Sequence, residues 1–390
     1  MVPALARPLP RLLASLLAGV AAATLVTFDN TKPRLDTSGA ILDAHDNSLR
    51  RYPDGYYYLF AAAYGGCLEP AGRGCDPTPD HCGFQANHSV ARFRSRTLAS
   101  GTWERLPPVL AQGARPNGTL FGPGAVYNDA TQRVVLQFNL AGSGYEGFPL
   151  FVAPAPDAPP ADFAQQAAFL NVSVGGGSTG HFFVDPADGA AYFIYSANFA
   201  IHIERLAPDM LSVERGALFS FPEYFVEAPA LFERKGVYYA LFSWCCCYCM
   251  QGSGIIVHTA PHPLGPWTSL GEVACAPAAA EASGAAGGGG YLAAATGLGA
   301  GGTPTAAEGC QYKNASETST TRAQQTFVVQ VELADGSAAY IWTGDRWQQS
   351  PDGTKGHDPE TWLPLAFDDA AGGAILPVVW QDSFTLDVAD

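Results

Sequence analysis

One pattern recurs five times along this chain of 390 residues. A turn, often Asp-Gly, is followed by a strand rich in aromatic and other apolar residues. The five copies are DGYYYLFAA (54–62), TQRVVLQFN (131–139), DGAAYFIYSA (188–197), KGVYYALFSW (235–244) and DGSAAYIWTGD (335–345). Each copy is followed by a second short strand pattern, which is weakest after the fifth. Strand-forming residues bounded by such turns predict β-hairpins.

Five similar hairpin units with few helical segments between them predict an all-β chain. A sandwich also uses hairpins, but the recurrence of one unit favours radial repetition, as in a five-bladed β-propeller. The inner strand of each blade then precedes its aromatic hairpin. A propeller leaves a concave site where the inner strands converge, and small molecules bind preferentially in concave sites.

The charge balance excludes some classes of partner. The formal net charge is −15, and only 15% of the residues are charged. A nucleic-acid-binding protein needs a basic face, so no nucleic acid is expected as a partner. With 47% hydrophobic residues the chain has enough apolar material for a core, which excludes a wholly disordered protein.

The first 25 residues resemble a secretory signal peptide. Arg7 and Arg11 precede an apolar run that begins at Leu12, and small residues follow at 21–23. The run is short for a membrane span, and an uncleaved anchor is the alternative. Residues 26–390 then form a single domain, secreted or luminal and free of the membrane after cleavage. Asn-X-Ser/Thr sequences, which accept glycans on exported chains, begin at Asn87, Asn117, Asn171 and Asn314.

The chain has nine cysteines, which export makes candidates for disulfides. Cys67, Cys75 and Cys82 share one Gly/Pro-rich loop, where a local disulfide is expected, and which two of them pair is left open. The run 245–249 lacks the paired spacing of a zinc site, so no metal site is assigned. An Ala/Gly-rich segment, 277–307, predicts a disordered insertion that a disulfide between Cys275 and Cys310 would close.

Two acidic residues fall on predicted inner strands. Glu227 lies in VEAPALF, where apolar neighbours predict a dry setting that raises the pKa of a carboxyl group. Asp46 lies before the first hairpin. A pair of carboxyl groups facing one pocket is what glycoside hydrolysis needs, one as acid and one as base. The alternative is a structural role for Glu227, bonded to a neighbouring blade. His45 either orients a group beside Asp46 or is a buried histidine.

The chain resembles glycoside hydrolase family 43, the five-bladed propeller hydrolases, from about Asp43 to Asp387. The segments that carry this resemblance are AHDNSL, YYYLFAAAYG, VEAPALFERKGVYYALFSW, AQQTF, IWTGDRW and TWLPLAF. The resemblance implies an inverting hydrolase with Glu227 as the general acid. AQQTF and GDRW are most similar to the branch that includes exo-β-1,3-galactanases, in which a glutamine stands near the attacking water. That glutamine corresponds to Gln324.

Three positions depart from the family pattern. The residue that matches an Asp tuning the acid is Thr179, unless Asp185 or His181 substitutes for it. Phe121 stands where the galactanase branch carries a Glu. Asp46 stands where that branch has a Gly, and it would restore the aspartate that serves as the general base in most of the family. The leading prediction is a secreted inverting hydrolase of galactan, arabinan or xylan-type glycans; the alternative is a catalytically impaired propeller that binds a glycan or a protein.

The remaining candidates are predicted to contact substrate. Asp345 and Arg346 either bond sugar hydroxyls or form a structural ion pair, while Trp244, Trp342 and Trp347 either stack on sugars or fill the blades. No cofactor is required. An ion in the propeller channel is one interpretation of His258 and of His357 with Asp358. The other is that these side chains only pack in the core. The expected partner is an oligo- or polysaccharide, and the protein is expected to be a monomer.

Overall fold

The computed structural model describes residues 23–69, 89–111, 119–141, 147–245, 252–274 and 319–389. Within these ranges the chain forms twenty-three strands and three short 3₁₀ turns. The strands of five sheets are β2 (His45–Arg51), β3 (Tyr57–Ala63), β4 (Ser89–Ser95) and β5 (Glu104–Leu110); β6 (Thr119–Asn128), β7 (Arg133–Ala141), β8 (Leu150–Ala153) and β9 (Ala164–Gln165); β10 (Gly177–Val184), β11 (Ala191–Ala197), β12 (Ala200–Leu206) and β13 (Val213–Ser220); β14 (Val226–Arg234), β15 (Val237–Trp244), β16 (Ile256–Ala260) and β17 (Thr268–Glu272); and β18 (Gln324–Glu332), β19 (Ala338–Asp345) and β20 (Glu360–Pro364). The others are β1 (Ala23–Asp29), β21 (Phe367–Asp368), β22 (Ala374–Ile375) and β23 (Ser383–Ala389), with 3₁₀ turns at Pro160–Asp162, Lys355–His357 and Asp369–Ala371.

The five sheets are the blades of a β-propeller. Their strands follow chain order from the inside outwards, with four strands in blades 1 to 4 and three in blade 5 among the described residues. The inner strands contact one another in a closed ring, in which β2 meets β6, β6 meets β10, β10 meets β14, β14 meets β18 and β18 returns to β2. The predicted all-β, five-bladed propeller is therefore confirmed. The five recurring sequence copies are the second strands of the blades, each paired with the inner strand before it.

The aromatic repeat is explained by burial on both faces of a blade. In β3, Tyr57, Leu59 and Ala61 pack with residues of blade 5. The alternating residues Tyr58, Phe60 and Ala62 pack with residues of blade 2. Because successive side chains of a strand point to opposite faces, a strand between two blades needs apolar residues at every position.

The first and last strands close the ring. β1 pairs with β23 in antiparallel register, from Ala23 opposite Ala389 to Asp29 opposite Ser383. Their buried residues Val26 and Val388 belong to the apolar cluster between blades 1 and 5. The side-chain amide of Asn30, just after β1, bonds the outer strand of blade 5. It donates to the Trp362 carbonyl at 2.8 Å and accepts from the Trp362 amide at 2.9 Å.

Several sequence predictions fall outside the described residues. These are the proposed leader up to residue 22, the insertion 277–307 and seven of the nine cysteines, all except Cys67 and Cys245. The last three residues of the predicted leader, 23–25, are the first of β1. Of the four glycan acceptor sequences only that of Asn171 is described, and Asn171 is exposed. Along the described parts of the chain, we find no helix with the length and apolarity to span a bilayer.

All five inner strands carry a β-bulge close to their first residues. The register shifts lie between His45 and Ser48, Phe121 and Gly124, Gly177 and Gly180, Glu227 and Ala230, and Gln325 and Phe327. A bulge bends its strand and re-aims the neighbouring side chains. Because the inner strands run in the same direction around the axis, these bulges share one end of the propeller, here called the bulge end.

A cavity of about 410 Å³ opens at the opposite end of the axis. The final residues of the inner strands line it, among them Arg50, Glu233 and Glu332. The Arg50 guanidinium donates to the Phe182 carbonyl of blade 3 and lies 4.8 Å from the Phe327 ring centroid of blade 5. Arg50 thus ties three blades together across the axis.

We predict that Gly180→Ala destabilises the propeller and that Gly175→Ala does not. A methyl group on Gly180 would meet the buried Phe193 ring and lie 3.0 Å from Cβ of Tyr195, whereas nothing lies within 4 Å of the same position on Gly175. Overpacking of this kind costs roughly 1–3 kcal/mol. Urea denaturation of both variants measures the difference, and equal midpoints would contradict the tight packing described here.

Candidate active site

Glu227 is the second residue of β14 and stands at its bulge, with 9% of its surface exposed. The following residue, Ala228, has a φ of 52°, a left-handed conformation that non-glycine residues rarely adopt. This turn of the backbone sets the direction of the Glu227 side chain at the bulge end. The predicted acid therefore lies where the five inner strands converge.

Gln324 of blade 5 holds the Glu227 carboxyl group. Its Nε2 donates to Oε1 of Glu227 at 2.6 Å, and its Oε1 accepts from the indole Nε1 of Trp347 at 2.6 Å. An indole N–H is a donor only, so the amide oxygen of Gln324 must face Trp347 and its nitrogen must face Glu227. Gln324 is therefore a direct partner of the predicted acid.

Asp46 stands at the equivalent bulge of blade 1. Its φ is 48°, and its backbone N–H donates to Oδ2 of Asp345 at 2.8 Å. Aspartate tolerates this left-handed conformation better than most residues do. The buried carboxylate of Asp345 thus fixes the backbone of the predicted base from blade 5.

The pKa of Asp46 is raised to about 7. Burial is the largest cause, and the charges of Asp345 and Glu227 act in the same direction, while His45 and Lys355 oppose them. Glu227 is thus one of the charged groups that act on Asp46.

His45 is fully buried between two carboxylates. Its Nδ1 lies 3.3 Å from Oδ1 of Asp345, and its Nε2 lies 3.6 Å from Oδ1 of Asp43. Burial alone would lower the pKa of His45, but the hydrogen bond and charge of Asp345, together with Asp43, raise it to about 9. His45 is therefore a buried histidine held between two carboxylates, and its orienting role beside Asp46 stays a prediction.

The sequence did not point to the layer behind these residues. Lys355 is fully buried, with its Nζ 4.1 Å from the Trp347 ring centroid and 5.0 Å from that of Tyr64. Its charge is balanced by Asp358 at 3.5 Å. This cation–π contact supports the indole that orients Gln324. Of these residues, the sequence predicts Trp347 as a sugar contact and Asp358 as an ion ligand, and it does not point to Lys355 or Tyr64.

The sequence also missed Cys245. Because Glu227 pairs with Ser243 across β14 and β15, Cys245 lies on the same face as Glu227, two residues further along. Burial and the neighbouring Glu227 carboxyl group raise the pKa of the Cys245 thiol. The thiol is therefore a neutral neighbour of the predicted acid.

The structure places the candidate substrate-contact residues behind or away from the carboxyl pair. Asp345 and Trp347 are 0% and 1% exposed, so they support the site from within the core. Trp244 pairs with Val226 and lies on the face of blade 4 opposite to Glu227, since successive side chains alternate. Arg346 bonds Gln349 and stacks over the Trp380 ring at 4.8 Å, so no ion pair with Asp345 forms. Trp342 is fully buried and belongs to the apolar cluster between blades 4 and 5.

Neither candidate substitute for the missing aspartate stands at Thr179, whose Oγ1 lies 3.3 Å from Oγ of Ser196. Asp185 lies at the other end of β10, where both of its oxygens accept from the Tyr238 hydroxyl. His181 packs against Phe327, and burial together with Arg50 lowers its pKa to about 3. Phe121 precedes the bulge of blade 2, as Glu227 does in blade 4.

The histidines considered as ion ligands have other partners. His258 bonds Glu223 at 2.9 Å within blade 4, and His357 bonds Asp352 at 2.8 Å near the surface. Asp358 accepts from the backbone of Gln348 and Gln349. Across the described ranges, no group of three or more His, Cys, Asp or Glu side chains is placed to hold a metal ion.

The comparisons with known proteins agree with this fold. No protein-family model matches the sequence, and no curated protein matches it significantly. Solved structures do match. An exo-β-1,3-galactanase from Clostridium thermocellum aligns with a TM-score of 0.65 and 21% identity, over 93% of this chain and 67% of that one. A family 43 β-1,3-galactosidase aligns with a TM-score of 0.64 and 20% identity, over 93% of this chain and 64% of that one.

A third match is an exo-β-1,3-galactanase from Phanerochaete chrysosporium, solved as a variant with β-1,3-galactotriose. It aligns with a TM-score of 0.63 and 17% identity, over 93% of this chain and 69% of that one. This chain therefore spans about two thirds of the length of these three structures. The resemblance to glycoside hydrolase family 43 is confirmed at the level of structure: the neighbours are family 43 propeller glycosidases, and the chain has their fold.

We predict that the stability of the protein falls as the pH rises from about 6.5 through 9, and that His45→Gln removes most of this fall. The pKa of His45 is raised from 6.5 to about 9, so its stabilising effect is complete below pH 6.5 and is lost through pH 9. The measurement is the free energy of unfolding in urea at several pH values.

His181→Gln is the matched control for this measurement. Because the pKa of His181 is lowered to about 3, its contribution changes only below pH 6.5. The control should keep the slope of the wild-type protein in the alkaline range. An unchanged slope in His45→Gln would contradict the charged state assigned to His45.

Proposed function

We propose that this protein is an inverting glycoside hydrolase that acts on β-1,3-linked galactan. The observation that carries the proposal is that Glu227 and Asp46 stand at equivalent bulges at one end of the axis, each held by a residue of blade 5. The structural neighbours that act on β-1,3-galactosides support the choice of substrate over arabinan and xylan. A neutral glycan also suits a chain with few Lys and Arg.

Glu227 is the general acid in this proposal. Gln324 donates to its Oε1, so Oε2 is the atom that carries the proton. That proton passes to the glycosidic oxygen as the bond to C1 breaks, and the Glu227 carboxylate that forms keeps the Gln324 bond. Asp46 removes a proton from the water that attacks C1 on the opposite face of the sugar ring. These steps need only the two carboxyl groups, and we assign no cofactor.

The setting of the proposed site is extracellular. We infer that the protein is exported as a monomer and carries disulfides, and that residues 1–25 direct it out of the cytoplasm. The apolar run from Leu12 supports export, and the exposed Asn171 is a suitable position for a glycan. Comparing the N-terminus of protein secreted by a eukaryotic host with the encoded sequence tests the cleavage.

A second candidate function is glycan binding without hydrolysis. The observation that favours it is Thr179, which bonds Ser196 where the family pattern has an Asp that tunes the acid. If so, the purified protein binds β-1,3-galactan oligosaccharides but releases no sugar from them. Incubation with galactan, arabinan and xylan separates the two functions.

We expect Glu227→Gln to lower kcat on β-1,3-galactan by ~10²-fold or more, because the amide has no proton to transfer. Glu233→Gln is the matched control. It makes the same change at the other end of β14, beside the cavity, and should keep wild-type activity. Reducing-sugar release measures both, and hydrolysis by the Glu227 variant at the wild-type rate would refute the acid assignment.

We expect Asp46→Asn to abolish hydrolysis, and the wild-type enzyme to gain activity as the pH rises towards and past 7. Asp46 acts as a base only when ionised, and its pKa is raised to about 7. The measurement is kcat against pH, with NMR of the first product, which should be the α-anomer if the reaction inverts a β-linkage. Full activity in Asp46→Asn would instead assign the attacking water to Gln324.

A further inference from the structure

Two aromatic rings are exposed beside the proposed site. Large hydrophobic side chains that are exposed in the described residues include six aliphatic ones and two aromatic ones, Phe199 at 47% and Tyr224 at 44%. The two aromatic rings contact each other edge to face, with centroids 5.9 Å apart. An exposed apolar cluster of this kind marks an interaction surface.

The pair is attached to the strand that carries Glu227. Phe199 lies in the turn between β11 and β12, and its carbonyl accepts from the Val226 N–H at 3.0 Å, one residue before Glu227. Tyr224 precedes Glu227 by three residues. Phe225 packs beneath, with its ring centroid 5.4 Å from that of Phe199. The two exposed rings therefore stand at the bulge end, on the rim between blades 3 and 4.

The backbone at Phe199 has a left-handed conformation that is strained for a bulky residue. Ala197 pairs with Ala200, so Asn198 and Phe199 form a two-residue hairpin loop, and both have positive φ, 49° and 62°. Such loops strongly favour Asn-Gly, because glycine adopts positive φ without cost. Here a phenylalanine stands at the glycine position, and nearly half of it is exposed. Strain held at an exposed bulky residue is typical of a binding site rather than of a core.

The surroundings indicate an uncharged ligand. The nearest carboxylate in the preceding loop, Glu223, faces His258 at 2.9 Å. The Asn198 amide is bound to the Gly175 carbonyl at 3.2 Å. In the described turn and loop, the groups offered to a ligand are then the rings of Phe199 and Tyr224 and the Tyr224 hydroxyl. A sugar ring has an apolar face of C–H groups bordered by hydroxyls, which matches an apolar ring pair with one polar atom.

We propose that Phe199 and Tyr224 form a stacking platform for a sugar unit of the glycan beyond the unit held at Glu227. This proposal rests on the proposed function, because the glycan it binds is the β-1,3-galactan proposed there as substrate. The platform extends the site along blades 3 and 4, so it binds chains of several units more tightly than a single galactose. It binds whether or not the bond at Glu227 is hydrolysed.

The test is calorimetric binding in the Glu227→Gln background, with galactose, β-1,3-galactotriose, arabinotriose and xylotriose as probes. Phe199→Gly removes the ring and suits the positive φ, so it should keep or raise the thermal midpoint while weakening trisaccharide binding roughly 3- to 10-fold. A structural role for Phe199 predicts the opposite, a loss of stability. Galactose affinity should stay within roughly twofold, since the platform lies beyond the first unit.

Matched variants distinguish the loss of an aromatic ring from the loss of a hydroxyl group or of any exposed apolar side chain. Phe199→Tyr and Tyr224→Phe keep a ring and should keep trisaccharide affinity, while Tyr224→Ala should lose it to the same extent as Phe199→Gly. Leu218→Ala removes an exposed aliphatic side chain on β13 and should change nothing. Sedimentation at several protein concentrations shows whether the rings instead serve self-association.

The outcomes distinguish this proposal from the proposed function. If wild-type protein hydrolyses galactan but Phe199→Gly binds the trisaccharide unchanged, the platform is refuted and the enzyme stands. If no hydrolysis occurs but the variant weakens trisaccharide binding, the platform stands and the enzyme fails. The platform is also refuted if no trisaccharide binds, if galactose binding falls equally, or if only self-association changes.

Discussion

The arrangement of side chains at the bulge end depends on the hydrogen bonds of one buried carboxylate, that of Asp345. It lies at the end of the last blade and bonds the first blade, with one oxygen near His45 and the other accepting from the backbone of Asp46. A buried carboxylate is stable only when its oxygens are satisfied and its charge is balanced. Here His45 and the Asp46 N–H satisfy one oxygen each, and the charged His45 balances the negative charge. The same contact closes the ring of blades and holds Asp46 in its left-handed conformation.

Blade 5 supports the other carboxyl group as well. Gln324 begins its inner strand and bonds Glu227, and Trp347 follows its second strand and orients Gln324. Lys355 then supports the Trp347 ring from below. Both members of the carboxyl pair are therefore held from one blade, by side chains that are themselves buried. Supports of this kind fix a site more precisely than exposed loops do.

Much of the fold was readable from the sequence because it depends on local patterns. Apolar residues at every position of a strand, preceded by Asp-Gly turns, are enough to predict the second strand of each blade. The inner strands follow from their place before those hairpins. Glu227, Gln324 and Asp46 were found through motifs on these strands, and their convergence follows from the ring.

The roles of the neighbouring residues were not readable in the same way. The contact between His45 and Asp345 joins residues 300 positions apart. Lys355 is a charged residue whose burial depends on Trp347, Tyr64 and Asp358 meeting around it. Trp244 lies next to site residues in sequence, yet strand alternation turns it to the opposite face, and Arg346, just after β19, bonds Gln349 instead. Which face a residue occupies is set by bulges and register, and these are tertiary properties.

The pairing of β1 with β23 has a mechanical consequence. Val26 lies opposite Leu386, so the two outer ends of this antiparallel ladder are side by side even when residues 1–25 are removed. A force that pulls these ends apart acts across the ladder, along its hydrogen bonds, and opens it one pair at a time. It does not shear all the pairs at once. The β1–β23 ladder is therefore stabilised against heat and denaturant by the apolar cluster of blades 1 and 5. Tension applied at its two outer ends breaks its hydrogen bonds one pair after another.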